Sequence, residues 1–302
     1  AVNYDVNIIA VGAIRNDGNG NNSGHVRVYQ NVSGVWMQIG QDIDGEAIDD
    51  YSGWSVDLSD NGNILAIGAE GNDGNGHNIV GHVRVYNYDG ANWNQIGQDI
   101  DGENNGDHSG RSISLSSDGN IVAIGAFANN NVNGGAAGHV RVYENINGSW
   151  SQIGQDIDGE ASYDYSGVAV SLSSDGQTVA IGAEQNDGAG QPGCGHVRVY
   201  YLNGSTWVKR GQDIDGEAAN DESGKSVSLS NNGNIVAIGA PYNDDGGTDA
   251  GHVRIYEYDG SSWIQLGQDI DGFNSGEMSG YGVSLNGDGQ KVAIGSIGTG
   301  AG

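Results

Sequence analysis

The sequence predicts an all-β protein, a β-propeller of tandem four-stranded antiparallel blades, and three observations carry that prediction. A period of about 57 residues runs through the chain, each period holds four short segments of strand character, and no stretch sustains helical periodicity. The hexapeptide GHVRVY begins at Gly24, Gly81, Gly138 and Gly195 and returns as GHVRIY at Gly251, so the spacings are 57, 57, 57 and 56. GQDIDG keeps the same beat from Gly40, Gly97, Gly154, Gly211 and Gly267. SGxSVSLS-type segments start at Ser52, Ser109, Ser166, Ser223 and Ser279, and AIGA-type segments at Ala10, Ala66, Ala123, Ala180, Ala237 and Ala293. One propeller domain, or a segment of one, therefore spans 1–302, with repeats at about 1–51, 52–108, 109–165, 166–222, 223–278 and 279–302. The first repeat lacks most of a first strand and the last stops after its second. We therefore expect a segment of a longer chain, with six or seven blades when whole.

Each strand has its own signature. Val56 and Leu58 alternate with Ser55, Asp57 and Ser59, as a half-covered inner strand requires, whereas Ile64 to Ala69 is nearly continuous apolar, as expected of a strand covered on both faces. In the third, Val26 and Val28 take one face and His25, Arg27 and Tyr29 the other. A fourth runs from about Trp36 to Ile43. Asn61-Gly62, Asp118-Gly119, Asp175-Gly176 and Asn232-Gly233 join the first two strands with dipeptides that suit a two-residue hairpin. The return from Asp44 to Ser52 can reach about 30 Å, more than the roughly 14 Å across three interstrand gaps. Returns and second-to-third loops then share one rim, the top, and the hairpins share the other.

The order SG-x-SV, then VAIGAP (Val236 to Pro241), then GHVRIY (Gly251 to Tyr256) resembles the FG-GAP repeat of integrin alpha-subunit propellers over essentially the whole chain. Two departures stand out. Ser109-Gly110 replaces the family's Phe-Gly, and its Asp-rich calcium loop has shrunk to a turn such as Ser117 to Asn120. The resemblance implies a propeller used for recognition outside the cell or at its surface, and the family's usual ion site does not carry over to that turn.

Composition excludes several classes. Eleven Lys and Arg against 39 Asp and Glu give a net charge of −28, which repels nucleic-acid backbones and anionic lipid. Cys194 is the single cysteine, so neither an internal disulfide nor a thiolate cluster can form. No apolar run approaches the roughly 18 to 20 residues of a membrane span.

The strongest chemical pattern is the acidic return, Asp42, Asp44, Glu46 and Asp50, whose spacing resembles a calcium loop. It repeats as Asp99, Asp101, Glu103 and Asp107, as Asp156, Asp158, Glu160 and Asp164, and as Asp213, Asp215, Glu217 and Asp221, and it weakens in the fifth copy. Calcium is the expected ion; the competing reading has Asp capping loop amides and pairing with the recurring Arg. His25, His82, His139, His196 and His252, each two residues before an Arg, occur once per blade and read as blade packing rather than as one gathered site. Trp36, Trp93, Trp150, Trp207 and Trp263 read as outer-edge packing.

Function is expected where repeats differ. The x of SG-x-S is Trp54, Arg111, Val168, Lys225 or Tyr281, of which Trp54, Arg111, Lys225 and Tyr281 are the expected ligand surface. The residue before the motif is Tyr51, His108, Tyr165, Glu222 or Met278. No GxSxG, HExxH or phosphate loop occurs. The sequence therefore favours a non-enzymatic recognition or adhesion module, its acidic top rim taking a protein or glycan. The alternative is a structural spacer or self-associating filament subunit, with a polysaccharide-acting enzyme least favoured.

Overall fold

Inner alternating strands, continuous apolar second strands and Val-rich third strands pair in sequence order into radial sheets, the arrangement of a β-propeller. The computed structural model describes residues 1–74 and 77–298, so the Gly-rich end at 299–302 lies outside the described residues. In the third blade the strands are Ser112–Leu115, Ile121–Ala126, His139–Ile146 and Ser149–Gln152, each antiparallel to the next. A short piece, Ile157–Asp158, pairs again with the third strand, so the outer strand is broken at its GQ dipeptide rather than continuous. The second, fourth and fifth blades repeat this order. The first has three strands with the same extra piece, and the sixth comprises Gly282–Leu285 and Val292–Gly295.

The blades stand around an axis. At the bottom, one hairpin amide of each blade donates to the next, Asp60 to Ser117 O, Ser117 to Ser174 O, Ser174 to Asn231 O and Asn231 to Gly287 O, at 2.8–2.9 Å. Higher up, the second serine of SGxS reaches sideways: Ser55, Ser112 and Ser226 hydroxyls donate to Gly110, Gly167 and Gly280 carbonyls. That approach explains the glycine of AIGA, because a Cβ on Gly125 would lie 2.0 Å from Gly167 O.

Apolar cores lie between neighbouring blades rather than within one. Val140, Val142 and Ile157 of the third blade pack with Val170, Leu172, Ile181 and Trp207 of the fourth. The four tryptophans from Trp93 onward are buried, and each indole Nε1 donates to the preceding blade, as Trp150 does to Ile96 O at 2.9 Å. Trp36 has no such partner among the described residues and is 42% exposed. The glutamine of GQDIDG completes the seam: Gln98 Nε2 donates to Trp150 O and its Oε1 accepts from Trp150 N.

Candidate functional site

The recurring arginines form the blade-to-blade latch that their periodicity predicts. Arg84, Arg141, Arg198 and Arg254 each donate to a backbone carbonyl of the preceding return loop, Asp44, Asp101, Asp158 and Asp215, at 2.7–2.8 Å. The same guanidiniums face Glu46, Glu103, Glu160 and Glu217 at 3.3–3.4 Å. Arg27 turns instead to Asp42 of its own blade and holds that carboxyl down at about 2.

The expected four-carboxylate loop does not assemble as one cluster. Asp50, Asp107, Asp164 and Asp221 are buried and act as loop caps; Asp164 accepts from Glu160 N, Ala161 N and Asn186 Nδ2. Asp99 and Asp156 accept from Gln95 and Gln152 of their own blade, and Asp213 pairs with Lys209. The glutamates cross to the next blade. The groups that do converge are mixed: Glu46, His82 and Asp99; Glu103, His139 and Asp156; Glu160, His196 and Asp213; and Glu217, Asp245, His252 and Asp269. Each could hold a metal ion. Asp44, Asp101, Asp158 and Asp215 are not members, although their carbonyls anchor the arginines. The histidines of these groups are buried, and burial, with the adjacent arginine, lowers the pKa of His82, His139 and His196 to about 4, so the rings are neutral at neutral pH.

Symmetry breaks on the inner top rim. Three columns meet there: the residue after AIGA, the residue before SG and the x of SGxS. Across successive blade junctions they read Ile14, Tyr51, Trp54; then Glu70, His108, Arg111; then Phe127, Tyr165, Val168; then Glu184, Glu222, Lys225; then Pro241, Met278, Tyr281. Charged triads thus alternate with aromatic or apolar ones. Arg111 Nη1 donates to both Glu70 oxygens at 3.2 Å, and its guanidinium lies 4.3 Å from the Trp54 ring centroid. His108 Nδ1 stands 3.9 Å from Glu70 Oε2 without a hydrogen-bond partner among the described residues, and its ring packs against Phe127. Burial, then Arg111, pushes the His108 pKa down; burial pushes that of Glu70 up against the pull of Arg111. A cavity of about 680 Å³ is lined by Glu70 and His108 and walled also by Tyr51, Asp73 and Ile79.

The second charged triad is built alike. Lys225 Nζ pairs with Glu184 at 2.5 Å and lies over the Tyr281 ring at 5.7 Å. Burial opposes the Lys225 charge, but Glu184 overrides it and the pKa is raised; Glu222 is raised by burial and by Glu184. Trp54, Arg111, Lys225 and Tyr281 are therefore brought together as two cation–ring pairs. Glu70 and Glu184, missed from the sequence, complete them.

All five residues before SG have a left-handed backbone, with φ of 53° to 56° at Tyr51, His108, Tyr165, Glu222 and Met278. A side chain in that region is strained, and such strain collects at functional sites.

Residues 214–256 match the family model for the FG-GAP repeat. The same unit recurs along the chain, in sheets of one topology. The chain is thus a β-propeller that carries an FG-GAP repeat. No curated protein matches it in sequence. Among solved structures, this FG-GAP propeller is similar to the periplasmic gluconolactonase PpgL of Pseudomonas aeruginosa, with a TM-score of 0.62 and 17% identity over 97% of this chain and 76% of that one. It is also similar to a Bacteroides uniformis protein provisionally named a 6-phosphogluconolactonase, with a TM-score of 0.59 and 11% identity over 98% and 80%. Both likenesses concern the fold. They correct the sequence-based expectation of a non-enzymatic recognition or adhesion module, or of a spacer or filament subunit: the scaffold taken as a sign of recognition is one that lactonases use. The physical reason is that the repeated letters are packing letters, such as Arg141 on the Asp101 carbonyl and Trp150 on Ile96, and packing does not tell recognition from catalysis.

Proposed function

We propose that this FG-GAP propeller is a hydrolase that opens a sugar-derived lactone at its inner top rim. The observation that carries the reading is the Glu70–His108–Arg111 triad: Glu70 and the unprotonated His108 imidazole line a cavity, and Arg111, set between the Trp54 and Phe127 rings, is held against Glu70. Support comes from the two lactonase-named propellers of similar fold. Aromatic faces suit a sugar ring, and charged groups suit its polar edges.

The residues map onto ester hydrolysis. His108 Nε2, the ring nitrogen turned away from Glu70, takes a proton from water as the oxygen attacks the lactone carbonyl. Arg111, held by Glu70 through Nη1, faces the developing oxyanion. The ring C–O bond then breaks, and the His108 imidazolium returns its proton to the departing alkoxide, leaving an open-chain hydroxy acid. Glu70, near both cations, stabilises the imidazolium. The sugar-derived ligand is the partner we assign to the top rim, and an extracytoplasmic location fits the periplasmic neighbour. Calcium has no part in this reading, since the metal-capable groups include imidazole, which suits softer ions than calcium.

The test is proton release from D-glucono-1,5-lactone and D-galactono-1,4-lactone in a pH-stat. The intact chain should exceed spontaneous hydrolysis, and His108→Asn and Glu70→Gln should lose about 100-fold or more. No excess rate on either lactone would end the proposal, and variants as fast as the parent would move the reaction away from this triad.

A further inference from the structure

The junction between the fourth and fifth blades carries a feature that the other junctions lack. Glu217 reaches across from the fourth blade; His252 and Asp269 belong to the fifth; and Asp245, in the fifth blade's second-to-third loop, adds a third carboxylate. One ligand atom from each lies within 4.8 Å of the others. At the position of Asp245 the other repeats have Gly18, Gly74, Asn131 and Gly188, so the fourth donor is particular to this junction.

His252 is 1% exposed, and neither ring nitrogen has a hydrogen-bond partner among the described residues. Its Nδ1 faces Glu217 Oε2 at 3.8 Å and Asp269 Oδ2 at 3.9 Å. Those separations are too long for hydrogen bonds. They match donors that share an ion, because ligands about 2.1 Å from a metal stand roughly 3 to 4.2 Å apart. Leaving a buried imidazole nitrogen unpaired is costly, and an ion between ring and carboxylates removes that cost.

Charge points the same way. The group brings three carboxylates together, and Arg254 Nη1 lies 3.3 Å from one of them, Glu217 Oε1.

We propose that Glu217, Asp245, His252 and Asp269 bind a divalent transition-metal ion of the zinc and cobalt class, which fastens the fourth blade to the fifth. One nitrogen and up to three oxygen donors suit such an ion, whereas calcium takes six to eight oxygens. The three-donor groups at the preceding junctions bind the same class of ion more weakly. The site is separate from the Glu70 triad, and its test does not depend on any hydrolysis.

The experiment is titration of the chelator-treated chain with Co²⁺, read by visible absorption, and with Zn²⁺, read by calorimetry and melting temperature. One tightest site, visible bands of nitrogen–oxygen ligated cobalt and a raised melting temperature are expected. Asp245→Gly copies the residue of three other repeats and should keep the metal-free melting temperature while weakening the tightest site at least tenfold. Glu217→Gln should weaken it similarly. Metal-induced stabilisation that is unchanged in both variants, no binding at all, or Ca²⁺ displacing Zn²⁺ at equal concentration would each overturn the proposal.

Discussion

Glu70 and Arg111 sit on adjacent blades, and Arg111 Nη1 donates to both carboxylate oxygens at 3.2 Å. The pair fixes a cation beside the His108 imidazole, and the Glu70 pKa is set by opposing effects, burial upward and Arg111 downward. Arg111→Leu removes the downward effect. The acid limb of the lactone pH–rate profile should then move to higher pH, and kcat should fall by about 100-fold or more through loss of oxyanion stabilisation. A pH-stat profile from pH 4 to 8 checks both.

Met278 occupies the same left-handed position as His108, with φ of 54°, but lies in a junction without a charged triad. A non-glycine residue there costs about 1–2 kcal/mol. Met278→Gly should therefore raise the melting temperature without loss of hydrolysis. His108→Gly should give a similar gain and abolish activity. Scanning fluorimetry beside the lactone assay separates the two outcomes.

The fold was legible in the sequence because every packing device recurs: Gly125 against Gly167 O, Arg141 on the Asp101 carbonyl and Trp150 on Ile96 all belong to letters repeated in phase. The candidate site was only half legible. Arg111 and Lys225 stood out as odd letters, but Glu70 lies 41 residues before Arg111 on another blade, and each triad member alone looks like drift within its own repeat. Reading the column after AIGA, where Glu70 and Glu184 alternate with Ile14, Phe127 and Pro241, was the signal available. The acidic returns misled in the other direction, since even spacing along a loop says nothing of direction: Asp164 turns inward to cap it while Glu160 crosses to Arg198.

Trp150 and Trp36 hold the same repeat position, yet one is 4% and the other 42% exposed. Stability should follow burial rather than position. Trp150→Ala should cost about 3–5 kcal/mol, and Trp36→Ala under about 1 kcal/mol. Urea unfolding of the two variants checks the difference, and equal losses would show that the first blade packs otherwise in solution.

Asp57 is the odd member of an inner ring. Leu172, Leu229 and Leu285 amides donate to Ser114, Ser171 and Ser228 hydroxyls of the preceding blade, whereas the Leu115 amide donates to Asp57 Oδ2 at 2.8 Å. Burial raises the Asp57 pKa from 3.8 to about 6, the Leu115 and Leu58 amides offsetting only part of it. A carboxyl whose folded pKa is raised binds its proton more tightly in the native state. Its presence therefore costs nothing below pH 3.8, costs progressively more as the pH climbs towards 6, and levels off above that. The cost at pH 8 is at most about 3 kcal/mol, from 1.36 kcal/mol per pKa unit. Asp57→Ser keeps an acceptor for the Leu115 amide and removes the charge. It should raise the melting temperature at pH 8, do so progressively less below pH 6, and change nothing near pH 3.8. Thermal unfolding of both proteins across that range measures it, and a gain independent of pH would mean that the Asp57 carboxylate is already solvated.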